Sequence, residues 1–180
     1  MEEHPEIDAS CVNMLMVGEN SDGTLDKTKY TTGFGSKEFC DLFNQYNAFA
    51  YNCCNSSCLV NPNSCLRKSF FDTVHPRYEI LKTGDMIFWW RCLAGGARMY
   101  THYEPKMYYR NSSHSLGHQS YFWTSPDEYD YQILVAKYKA QAFKIRGNEV
   151  YPDGLTAMEA FRVFDNTVNY FKNLKSSSNG

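Results

Sequence analysis

The segment that most restricts the fold is GLTAMEAFRVFDNTVNYF, residues 154–171. Thr156 and Glu159 have the spacing of a capping box, in which each side chain satisfies the other residue's backbone N–H at a helix start. Behind them Ala157, Phe161, Phe164, Val168 and Phe171 recur every three or four residues, which places them on one helical face. The pattern predicts a helix over about residues 156–174 whose apolar stripe must be covered by the rest of the chain. A second helix is predicted over about 36–50, with Ser36 as N-cap and Phe39, Leu42, Phe43, Tyr46 and Ala50 on its buried side.

Between and before these helices the pattern is that of strands. CVNMLMV (11–17) reads as a buried strand, NSDGT (20–24) as a tight turn, and KTKYTTGF as the returning strand. RYEILK, DMIFWWRC, ARMYTHY, KMYYR, QSYFWT and YDYQILVAKY are rich in aromatic and β-branched residues and are separated by Gly and Pro, so they too read as strands. The expected fold is α+β: a compact β-sheet sandwich covered by the two helices. With no repeat, linker or composition shift, residues 1–180 are expected to form a single domain, with 175–180, KSSSNG, as a flexible tail.

The formal net charge is only -2, and its basic and acidic residues are interspersed, which argues against a strongly basic face for duplex nucleic acid or an anionic membrane. No apolar run reaches the length of a membrane span, and MEEHPEIDAS lacks the basic and apolar segments of a secretion signal. The expected location is therefore the cytosol. The sequons at Asn55 and Asn111 then carry no weight.

Few residue patterns point to catalysis. Cys53, Cys54, Cys58 and Cys65 lie in one loop, CCNSSCLVNPNSC, but vicinal cysteines and the later spacings fit no common zinc site. Two readings stay open for them: reduced thiols, or disulfide crosslinks formed once the surroundings become oxidising. Cys40 near a helix start, followed by TGDMIFWW and then His102, has an order that resembles the NlpC/P60 peptidases, which gives an alternative reading as a papain-like cysteine peptidase or amidase. That chemistry needs Cys40 as thiolate and His102 as base. Against it, Cys40 sits a turn inside an apolar helix face. The histidines form no metal motif, AGGAR lacks the lysine of a phosphate loop, and SPDEYDY reads as a solvated turn. Neither metal nor cofactor is expected, and no enzyme.

What stands out is phenol. The chain holds 14 tyrosines, and MYTHYEPKMYYR alone carries Tyr100, Tyr103, Tyr108 and Tyr109. A buried phenol needs a hydrogen-bond partner, so many tyrosines are expected at surfaces and at contacts between molecules. Phenols titrate near pH 10, so such contacts accumulate negative charge in base and separate.

Several stretches taken together resemble one family, the polyhedrins of cypoviruses: NSDGTL with SKEFCDLFNQY, RKSFFDTVHPRYEIL, SYFWTSPDEYDYQILVAK, and GLTAMEAFRVFDNTVNYF, collinear over about two thirds of the chain. The resemblance implies a sheet-and-helix sandwich that forms homotrimers packed into a crystal lattice. It implies a viral structural protein without turnover, which embeds virus particles in occlusion bodies in the host cell cytoplasm and frees them in the alkaline insect gut. Tyr129 and Tyr131 in the third stretch join the four phenols above as candidate alkaline-switch contacts, and the loop cysteines become candidate crosslinks. Some members hold nucleotides, so bound nucleotides are an implied partner, with no motif here to place them; neither a membrane nor a specific nucleic acid is implied. The chain departs from the pattern in its short amino terminus and its cysteine loop.

Overall fold

A computed structural model describes residues 2–32, 36–53, 64–75, 84–111 and 128–178. Those residues form strands β1 (Ala9–Glu19), β2 (Leu25–Thr32), β3 (Ser64–Leu66) and β4 (Met99–Asn111), and helices α1 (Lys37–Cys53), α2 (Lys68–Val74), α3 (Gly84–Ala94), α4 (Glu128–Lys144) and α5 (Ala157–Ser178). The fold is α+β. It divides into two compact units, each assembled from two separate stretches: Met1–Lys68 with Arg98–Trp123, and Ser69–Ala97 with Thr124–Gly180.

The first unit is built on β1. On one edge β1 pairs antiparallel with β3 through Ala9–Cys11 and with β2 through Leu15–Glu19; on the other it pairs with β4 in parallel along Ala9–Gly18. The predicted turn joins β1 to β2, with Gly23 at a φ of 81° and Asp22 accepting from the Thr24 amide. All described strands join this one sheet; the second sheet of a sandwich is not found among the described residues. α1 packs on β4. Its buried line, Cys40, Phe43, Asn47 and Ala50, is rotated about one position from the predicted face, and the helix is kinked at Tyr46. ARMYTHY and KMYYR, predicted as two strands, are a single strand that continues through Pro105 by way of irregular pairing.

The second unit is helical, which corrects two strand predictions. DMIFWWRC is α3 and YDYQILVAKY opens α4. α3 buries Ile87, Trp89, Trp90, Cys92 and Leu93 on nearly every side, so its sequence has no polar face to reveal a helical period. In α4 the burial of Ile133, Ala136, Ala140 and Phe143 follows spacings of three, four and three, a period visible only when the helix-favouring run AKYKAQAFK is read with what precedes it. α5 begins as predicted: the Thr156 amide donates to Glu159 at 2.8 Å and the Glu159 amide to the Thr156 hydroxyl at 3.2 Å. It runs to Ser178, four residues past the predicted end. Its Phe164 stacks on Phe143, which also meets Trp90 and Tyr151. RYEILK, QSYFWT, Cys54 and Cys58 lie outside the described residues.

Candidate functional site

The candidate site is the tyrosine-bearing strand β4, and its position is set by two asparagines that sequence reasoning passed over. Asn44 and Asn47 stand one helical turn apart on α1. Each turns its side-chain amide to one residue of β4: Asn44 accepts from the Thr101 amide at 2.7 Å and donates to the Thr101 carbonyl at 3.1 Å. Asn47 does the same for Met99, at 2.6 and 3.0 Å, and donates its second proton to the Phe43 carbonyl. Two side chains thus take the place of a neighbouring strand and satisfy an edge that would otherwise invite another chain. The signal for them is the pair of amides three apart, NQYN, inside an amphipathic helix. Another amide, fully buried Asn13, donates to the Tyr103 carbonyl at 2.7 Å and holds the irregular part of β4 against β1.

On this strand Tyr100, Tyr103 and Tyr108 are 41, 42 and 51% exposed, and Tyr109 is half-buried. The register divides them. Tyr100 lies opposite Ser10, Tyr108 opposite Leu15 and Tyr109 opposite Met16. Between Tyr100 and Tyr108 lies the irregular pairing around Asn13, where β4 carries extra residues. Tyr129 and Tyr131 are placed differently, half-buried on α4 in the second unit. Tyr129 meets Phe171, and the Tyr131 hydroxyl lies 3.5 Å from the Met86 sulfur. They belong to helix packing, not to the strand.

The candidate peptidase pair is not brought together. Cys40 is 1% exposed, and burial followed by the nearby Asp41 charge raises its thiol, the reverse of what a nucleophilic thiolate requires. Thr101 is buried against Cys11, whereas the next residue, His102, is exposed with its ring 5.0 Å from that of Tyr100. Strand alternation therefore puts His102 on the face away from Cys40. Of the candidate crosslinks, Cys53 at the end of α1 and Cys65 on β3 are both exposed, and Cys65 is a free thiol. No cluster of metal-ligating side chains occurs among the described residues.

Two buried groups respond to base from within the fold. Burial pushes the Cys11 thiol up to about 12, against a smaller opposing effect from its hydrogen bond with Thr101. In the second unit burial also raises the Tyr151 phenol, and Glu149 adds to the effect through its charge and a hydrogen bond. Compared with protein-family models, with curated proteins and with solved structures, the chain finds no match.

Proposed function

We propose that the chain is a structural protein that self-assembles into solid intracellular particles and that these dissolve in alkali as surface phenols ionise. The role is the one the polyhedrin resemblance implies: a crystal built from trimers in the host cytoplasm that embeds virus particles and releases them in an alkaline gut. The observation that carries this reading is the exposure of Tyr100, Tyr103 and Tyr108 on one strand. Aromatic rings with a hydroxyl bury area and donate a hydrogen bond at a contact, and ionisation removes the donor and adds a charge in the same seam. Tyr100 and Tyr108 stand on either side of the irregular pairing around Asn13, so the strand offers exposed phenols at two places along its length. The amides of Asn44 and Asn47 occupy the edge at Met99 and Thr101, so cohesion there would run through side chains. The exposed cysteines offer reinforcement.

The test is a turbidity titration of the expressed full chain from neutral pH to about pH 12, with and without reductant. Particles that persist at neutral pH and dissolve with a midpoint near 10, where phenols titrate, support the proposal. A solution that stays clear and monomeric at high concentration near pH 7 contradicts it. A midpoint close to pH 7 would move the switch from tyrosine to histidine.

A further inference from the structure

Charges that are interspersed along the sequence segregate in the helical unit. α4 turns Lys137, Gln141 and Lys144 outward at spacings of four and three, one solvent-facing stripe. On the side of α2 and α3 the stripe borders a groove of about 410 Å3 to which Arg91 and His75 contribute. On the side of α5 it borders a second groove of about 300 Å3, to which Lys172 and Asp165 contribute. Lys137, Lys144 and Lys172 are exposed and make no ion pair with any described residue, whereas Lys37, Lys175 and Arg146 each have a carboxylate partner. Four cations and a single acid, Asp165, therefore line the two grooves in a chain whose net charge is -2.

We propose that this face of α4, with Arg91 and Lys172 on its flanks, binds the phosphate backbone of single-stranded nucleic acid without regard to sequence. Lys137 and Lys144 lie about 10 Å apart along the helix, and Arg91 and Lys172 extend the positive surface across it. A strand with a phosphate at every nucleotide offers an anion to each cation in any register, so no shaped pocket is needed. Ring faces in the grooves are already taken: the Arg91 guanidinium lies 5.1 Å over Tyr138 and the Lys144 ammonium 5.6 Å over Phe161. With these rings already carrying cations, the contact proposed here is to the backbone phosphates. α4 packs against α3 on one side and α5 on the other, and a flexible strand can follow the channels beside it.

The experiment is fluorescence anisotropy of a labelled oligouridylate with the full chain. Binding at low salt should weaken roughly 50-fold for a fourfold rise in salt concentration, as displacement of counterions from about four phosphates requires. Combined Lys137→Gln, Lys144→Gln and Lys172→Gln should remove most of the affinity and most of the salt dependence, and Lys37→Gln on α1 should leave both unchanged. Asp165→Asn, which keeps every lysine, should tighten binding. The proposal is overturned if the wild-type chain does not bind at low salt, if the triple variant binds like wild type, if Asp165→Asn has no effect, or if oligoglutamate of equal length competes as well as the oligonucleotide.

Discussion

Asn47 shows how much a single residue holds in this molecule. It is 6% exposed, and its amide satisfies both backbone groups of Met99 as well as the Phe43 carbonyl. Asn47→Ala strands a buried N–H and C=O of Met99 and should destabilise the first unit by about 2 to 3 kcal/mol, read from the urea midpoint. An amide at that position was hard to foresee, because periodicity ranks residues by hydropathy and Asn on an apolar face counts as a mismatch. The phenols were legible as a cluster. Their register was not, since it depends on irregular pairing around Asn13 that no residue type announces.

At the scale of elements, the capped and amphipathic ones were readable and the fully enclosed ones were not. α5 and α1 each show the chain a polar and an apolar side, and both occur close to where their caps predict. α3 has no such contrast, yet its end was marked. AGGA closes it as a Schellman motif: Ala97 donates to the Cys92 carbonyl at 2.9 Å and Gly96 to Leu93 at 3.2 Å, with Gly96 at a φ of 94°. Read as a helix stop instead of a failed phosphate loop, those glycines would have identified the run before them. Gly95 has its own reason to lack a side chain, since a Cβ there would lie 2.5 Å from a methyl of Val74. Gly96→Ala should destabilise the second unit by about 1 kcal/mol, seen as a lower denaturant midpoint with an unchanged slope.

For the whole molecule the two units are interleaved in sequence, so no boundary in composition could have marked them. Charge behaves likewise: a balanced total of -2 conceals the basic face of α4. In base that total falls steeply, toward about -34 if every phenol, thiol and carboxyl is ionised and every lysine is neutral. Ionisation also acts on the fold itself. The Cys11 thiol is raised in the folded state, so its stabilising contribution is complete below its ordinary value near 9 and is lost as pH climbs toward 12. Buried Tyr151, also raised, weakens the second unit in the same direction. The proposed alkaline release would follow either from parting contacts or from unfolding, and the two are separated by recording turbidity and far-ultraviolet circular dichroism together. The decisive measurement is that paired titration on particles of wild type and of Tyr100→Phe, Tyr103→Phe, Tyr108→Phe combined. The account predicts that wild-type particles dissolve before their ellipticity changes and that the triple variant dissolves at a pH at least about one unit higher. Equal midpoints for the two, or turbidity and ellipticity lost together in both, would contradict it.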